Sequence, residues 1–428
     1  MNDTDGIEKE MYRSRSLQLE SPCYGCKEFE MQHQGNNEAV TGFLGEGPRA
    51  VEAYNPPWYY RHLLAWTVKC AVLSPGWEAI SVHGYTYDKP VFSDIQTGYL
   101  EHESCMTNGQ MLMQEGDVRM IITLNAGLVQ VEAQAEHHGV TKKLLQDIQD
   151  FMKEHNFYRG KRLNFDGGIS FLNAGQRTWD SIILDPEIKK GIRLNTIGFL
   201  KNIGRMQEYG ISPKRGIILA GDPGTGKTIV CKALMSEAES ITCITTNAYG
   251  EVMEGYFSDL YALAQDLSPS MVFIEDIDFS GQERSDFYHG SPPLLSLLGE
   301  MDGIEEKTAI VTIATSNCFE KLDKALSERP SRFDRVFKIP RPDYQRRLEM
   351  LERLANKIPM SGDIREYTAR KTEGFTPAQL QEVPNGMVIA QLDKTDEVTD
   401  FSRQDVDAAI YQINHKKDVT IGFKPVAG

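Results

Sequence analysis

Gly216-Ile217-Ile218-Leu219-Ala220-Gly221-Asp222-Pro223-Gly224-Thr225-Gly226-Lys227-Thr228-Ile229 is the stretch whose reading decides the fold. Its first part, Gly216 to Ala220, is apolar and has the length of a buried strand. Glycines then crowd the turn, and a helical pattern begins at Ile229. Strand, turn and helix in that order predict a phosphate-binding loop. The glycines let the backbone fold tightly enough for its N–H groups to surround an anion, and the following helix aims its positive end at the same charge. Lys227 is placed to reach the outer phosphates, and the Thr228 hydroxyl to reach a Mg²⁺ that bridges them.

Working outward, 428 residues with 40 % hydrophobic content leave room for two or three domains with buried cores. No run approaches the roughly 20 apolar residues that span a bilayer. Leu63 to Leu73 comes nearest, but it is short and contains Lys69. Met1 to Glu20 is polar and mixed in charge, so no secretory signal is expected. Seven scattered cysteines suit a reducing, cytoplasmic setting rather than a disulfide framework. A formal charge of -15 argues against a large nucleic-acid surface.

Residues 1–50 lack a sustained apolar period and read as disordered or loosely attached. Within them Cys23 and Cys26 are either a structural metal pair or two ordinary thiols. Residues 51–175 read as an α+β domain. Its aromatic segment, Trp58 to Trp66, follows Pro56 and Pro57 and is either a packed helix face or a partner-binding face. Two β-rich stretches follow, Ala79 to Phe92 and Arg119 to Gln134. Then comes an amphipathic helix, Thr141 to Glu154, with Leu144, Leu145, Ile148, Phe151 and Met152 on one face.

Beyond the loop, Met271-Val272-Phe273-Ile274 predicts a buried strand that ends in Glu275-Asp276. At the carboxyl end of a parallel strand, one such carboxylate can hold Mg²⁺ and the other can deprotonate an attacking water. A third apolar strand, Ala309 to Thr315, ends in Ser316-Asn317, where an amide can orient that water or sense the terminal phosphate. Arg329 and Arg332 then offer two planar forks suited to phosphoryl-transfer charge.

This collinear set, with Leu298-Gly299-Glu300-Met301-Asp302-Gly303 and Arg329-Pro330-Ser331-Arg332-Phe333-Asp334, resembles the AAA ATPases in their strict sense, from about Trp179 to near residue 416. The resemblance implies a P-loop αβα sandwich with a five-stranded parallel sheet over 178–342, a small helical lid over 343–416 and a tail over 417–428. In the lid, Gly374-Phe375-Thr376-Pro377-Ala378 has Thr376 placed to cap a helix starting at Pro377. Family members bind ATP and Mg²⁺ and form rings, usually hexamers. The resemblance makes Arg329 and Arg332 fingers acting on the neighbouring subunit's ATP. Trp179 to Pro186 and Tyr209 to Gly216 look most like the branch of the Rieske-protein translocase and related bacterial ring chaperones. By that likeness Ile182, Ile183 and Gly210 hold adenine, with Gly374 and Ala378 of the lid.

Two departures stand out. Most relatives read Asp then Glu where this chain has Glu275-Asp276, and Asp222 replaces the usual Pro beside the phosphates. The segment after the second strand, Tyr249 to Tyr256, lacks the aromatic, aliphatic and glycine triplet of threading members, leaving Met253 and Tyr256 as candidate substrate-pore contacts. The expectation is an ATP-hydrolysing ring that remodels, disassembles or moves a protein partner held by the N-terminal domain. With no His-Glu-x-x-His in the sequence, it is expected to act without proteolysis. A nucleotide-gated scaffold with little turnover and a nucleic-acid remodeller remain as alternatives.

Overall fold

The computed structural model describes residues 40, 42–72, 77–173, 175, 177–247, 255–277, 292–304, 308–318 and 333–415. The chain divides between Phe157 and Tyr158 into two compact units.

The first unit is an antiparallel sheet of β1 (Arg49–Tyr54), β2 (Glu78–His83), β3 (Val91–Gln96), β4 (His102–Glu115), β5 (Val118–Asn125) and β6 (Leu128–Gln134). The spatial order is β1-β6-β5-β4-β2, and β3 also pairs with β4. The long β4 pairs with β3 through its first half and with β2 through its second. Sequence reading missed β4 because its apolar Met and Leu residues do not alternate cleanly with its Asn and Gln residues. Helices Arg61–Val72 and His138–Glu154 pack on each other and on the sheet. The second buries Thr141, Leu144, Leu145, Ile148 and Met152, the stripe that a 3.6-residue period demands.

Of the aromatic segment, Tyr59, Tyr60, Leu63 and Leu64 are buried, so most of that stripe is core, while Trp58 is 42 % exposed. The end of the segment expected to be loosely attached up to residue 50 is packed. Val40 and Leu44 are buried against Leu112 and Ile121, and β1 already begins at Arg49. Cys23 and Cys26 lie outside the described residues.

The second unit is built on a seven-stranded sheet that adds β7 (Arg162–Phe165), β8 (Ile169–Phe171), β9 (Lys214–Ala220), β10 (Thr242–Asn247), β11 (Ser270–Glu275), β12 (Ile310–Ser316) and β13 (Arg335–Lys338). Their order is β13-β9-β12-β11-β10-β7-β8. From β13 to β10 all neighbours are parallel, which is the expected five-stranded sheet. Ile217 to Leu219, Met271 to Ile274 and Ile310 to Ala314 are almost wholly buried, as strands covered on both faces require.

The sheet continues past β10, where β7 adds parallel and β8 antiparallel. This corrects the expected domain boundary near residue 175, since residues 158–175 belong with the nucleotide-binding sheet. An edge strand is recruited by a non-local partner. The Cys243 N–H donates to the Lys161 carbonyl at 2.9 Å. The Arg162 guanidinium satisfies the carbonyls of Met235 and Ala238 at 2.9 and 3.0 Å, near the end of helix Lys227–Glu237. Leu163 and Phe165 are fully buried.

A helical lid follows: Tyr344–Leu354, Gly362–Lys371, Pro377–Leu392 and Arg403–Asn414, packed around Leu351, Ile364, Leu380, Val383 and Val406. Thr376 caps its helix as expected. It accepts from the Gln379 N–H at 3.3 Å while the Gln379 side chain accepts from the Thr376 N–H at 3.0 Å. Among the described residues no helix is long and apolar enough to cross a membrane.

Candidate nucleotide site

Strand β9 lies between β12 and β13, so the loop that leaves its carboxyl end emerges beside the ends of its neighbours. Gly221 N–H bonds the Ser316 carbonyl at the end of β12 at 3.2 Å, fixing the loop's start. Gly224 and Gly226 take φ of +80° and +100°, a conformation that side chains with a Cβ resist. Gly226 is the N-cap of helix Lys227–Glu237, so the loop runs straight into the positive end of that helix.

Lys227 is 6 % exposed. Its Nζ donates to the carbonyls of Gly221 and Asp222 at 2.6 and 3.1 Å and to Asn317 Oδ1 at 2.6 Å. Asn317 Nδ2 in turn donates to Asp276 Oδ1 at 2.9 Å. One amide thus joins the loop cation to the acidic strand end, across three segments brought together by β9, β11 and β12. Asp276 has a φ of +53°, a left-handed turn that a short polar residue tolerates. Its N–H bonds Thr315 Oγ1 at 2.9 Å and the next N–H, of Ile277, bonds the Thr315 carbonyl at 3.0 Å, so the turn is pinned to β12. Burial, then the adjacent Asp276, push the Glu275 carboxyl above its usual range, with Lys232 opposing them.

The residues fit a magnesium nucleotide. The loop is a cradle of left-handed glycines, its lysine is held inward, and Thr228, Glu275 and Asp276 supply the oxygen donors that a hard cation takes. Thr228 and Ile229 are exposed on the first turn of the helix. Thr225 is buried, its hydroxyl on the Asp222 carbonyl at 2.9 Å. Pro223 is exposed on the loop.

The expected adenine contacts are placed unequally. Ala378 sits against the loop, its N–H donating to the Gly224 carbonyl at 3.2 Å, whereas Gly374 is exposed and is joined to the loop through Arg341, which bonds the Gly374 carbonyl at 2.6 Å and Asp222 at 2.7 Å. Ile182 is buried in the same core cluster as Val230 and Ile339, and its carbonyl accepts from Lys189 Nζ at 3.0 Å. Ile183 is half-buried beside it, and Gly210 lies in the exposed turn that leads into β9.

Tyr256 is corrected from a pore contact to a core residue. It is 8 % exposed, and its hydroxyl donates to the Phe165 carbonyl at 2.6 Å and also bonds Thr246. The recruited strand β7 is what buries it. Met253, Arg329 and Arg332 lie outside the described residues.

Sequence reading missed three arginines around the site. Arg341 Nε bonds Asp222 Oδ2 at 2.7 Å and its NH1 bonds the Gly374 carbonyl at 2.6 Å. Arg346 joins two helix-capping carboxylates, Asp185 at 2.6 Å and Asp343. Arg353 holds the Ser181 carbonyl at 2.6 Å. Their only signal was basic residues at the start of the lid, which is also what a solvated helix face shows.

Residues 217–341 match the family model described as ATPase family associated with various cellular activities (AAA). An ATP-dependent zinc metalloprotease, FtsH 3 of Sorangium cellulosum, is 37 % identical over 215 residues, 47 % of this chain and 35 % of that protein. The proteasome-activating nucleotidase of Methanocaldococcus jannaschii is 31 % identical over 290 residues, 64 % of each chain. This chain thus spans about a third of the FtsH relative and under two thirds of the nucleotidase. A solved chain from a study of the structural basis for katanin self-assembly aligns over 56 % of this chain and 85 % of that one, at 27 % identity and a TM-score of 0.46.

Proposed function

With an AAA ATPase domain as the premise, we propose that this chain is a ring-forming ATPase that remodels, disassembles or moves a protein partner held by its N-terminal unit. The observation that supports it best is the continuous contact from Lys227 through Asn317 to Asp276, because it joins a phosphate-gripping cation to a carboxylate able to act as base. Bound Mg·ATP supplies the scissile phosphoanhydride and a divalent charge that offsets the phosphates. Lys227 and the loop N–H groups bind and orient the phosphate chain. Thr228 and Glu275 hold the metal. Asn317 orients the attacking water, and an Asp276 carboxylate oxygen takes its proton. The reversed acidic pair leaves the base one methylene shorter, and the Asn317 amide, bonded to Asp276 Oδ1, keeps it aimed.

Arg329 and Arg332 are proposed as fingers that reach the neighbouring subunit's nucleotide in a homo-hexamer. In this reading Arg329→Ala loses turnover and regains it in rings mixed with subunits that carry an intact finger. The activity is read as chaperone-like and non-proteolytic, in a reducing cytoplasm, and a client recovered uncut after incubation with ATP is its check. A net charge of -15 disfavours a nucleic-acid partner.

A second reading, a nucleotide-gated scaffold with little turnover, draws on the Glu275-Asp276 order. Steady-state ATP turnover by the full chain separates the two, with Lys227→Ala as the blank. Turnover well above that blank supports the remodelling ATPase. Tight ATP binding with turnover at the blank level overturns it in favour of the scaffold.

A further inference from the structure

Asp222 is the residue that puts a negative charge into a loop built to hold anions. The structure shows what stands against that charge. Arg341, in the short segment between β13 and the first lid helix, bonds Asp222 Oδ2 at 2.7 Å through Nε and the Gly374 carbonyl at 2.6 Å through NH1. One planar guanidinium thus spans the phosphate loop and the lid turn, a two-directional grip that a lysine's single point charge does not reproduce. The same turn touches the loop again where the Ala378 N–H meets the Gly224 carbonyl at 3.2 Å.

We propose that Arg341 is a positioning residue for the nucleotide: it offsets the Asp222 charge beside the phosphates and clasps the Gly374 turn of the lid to the loop. The inference rests on the nucleotide-site reading above and goes beyond it in assigning this pair control of affinity. Without Arg341, Asp222 faces the phosphates unneutralised and the lid turn loses one of its two bonds to this corner of the loop. Both effects weaken binding, and neither touches the Asn317 and Asp276 side chains that perform the chemistry. Asp222 and Arg341 are each about half exposed, so water and salt screen the pair and its influence is moderate.

The test is a charge-rescue cycle on the full chain, reading the Kd for Mg·ADP and the KM and kcat for ATP. Arg341→Ala should raise both Kd and KM by about fivefold while leaving kcat within about twofold, the size of a half-exposed ion pair. Adding Asp222→Asn to that variant should recover most of the loss, and Asp222→Asn alone should not weaken binding. Raising ionic strength should narrow the gap between Arg341→Ala and the parent. Should Arg341→Ala fail to fold, Arg341→Lys keeps the charge but drops the second bond, and an intermediate loss of affinity is expected.

Unchanged affinity in Arg341→Ala, or in Arg341→Lys where that variant is the one used, overturns the proposal. So does a double variant as weak as Arg341→Ala, because the proposal requires the Asp222 charge, once Arg341 is gone, to be what weakens binding. Lys227→Ala in parallel distinguishes the premise: if that variant still binds Mg·ADP tightly, the nucleotide-site reading itself is wrong and the clasp falls with it.

Discussion

Gly224→Ala tests the packing of lid against phosphate loop more directly than any change to a charged group. Gly224 has a φ of +80°, so an alanine there costs about 1–2 kcal/mol of backbone energy. Its Cβ would also stand 3.0 Å from Ala378 Cβ and 3.1 Å from Thr376 Oγ1, tighter than nearly all such contacts. Relief requires the lid turn to retreat by a few tenths of an ångström, which stretches the 3.2 Å bond from Ala378 N–H to the Gly224 carbonyl. Weakening that bond adds about 1 kcal/mol. Gly226 is the internal comparison: its φ is +100°, and nothing lies within 4 Å of the Cβ it would carry. Gly226→Ala therefore bears the backbone cost alone. In nucleotide-free protein, Gly224→Ala should melt below Gly226→Ala by about 2–4 °C, the shift expected for about 1 kcal/mol in a unit of this size. The assay is thermal unfolding of both full-length variants without nucleotide, followed by Mg·ADP binding to Gly224→Ala, which should be weakened. Equal melting temperatures, or Gly226→Ala the less stable, would refute the argument that the lid turn rests on Gly224.

Other consequences are separable. Tyr256→Phe removes a buried hydroxyl from the Phe165 carbonyl and should lower stability by about 1–2 kcal/mol with ATP turnover nearly unchanged; an unchanged melting temperature with lost client-stimulated turnover would return Tyr256 to the pore. Asp276→Asn should bind ATP and fail to hydrolyse it, and single-turnover assays in which Glu275→Gln alone stops the reaction would reassign the base. The Asp185 carboxyl is held below its usual range first by the Ile188 N–H, then by the Glu187 N–H and the Arg346 guanidinium. A depressed carboxyl stabilises fully above its unfolded value of about 3.9 and loses that contribution as pH falls through the lower folded one. The parent should therefore lose melting temperature below about pH 4 more steeply than Asp185→Asn, and parallel acid limbs would contradict the assignment.

What the sequence settled alone was local. A strand-length apolar run, left-handed glycines, an inward lysine and a following helix are consecutive residues whose chemistry leaves one arrangement. The acidic end of β11 and the amide after β12 were legible for the same reason, because each is a short run ending in one polar group. The capping of Pro377–Leu392 by Thr376 likewise depends only on residues three apart.

Tertiary structure decided what depends on distant partners. Nothing within residues 158–175 announces that β7 pairs with β10, because an edge strand's choice is made by the unpaired backbone it finds. That choice moved a domain boundary and buried Tyr256. Asp222 stood out only as a replacement for the usual Pro, because Arg341, which bonds it, lies 119 residues further on. Spacing along the chain reports which groups share a turn or a face. Which charge meets which carbonyl across a folded interface is set by how helices and sheet close on one another, and only the tertiary structure holds that information.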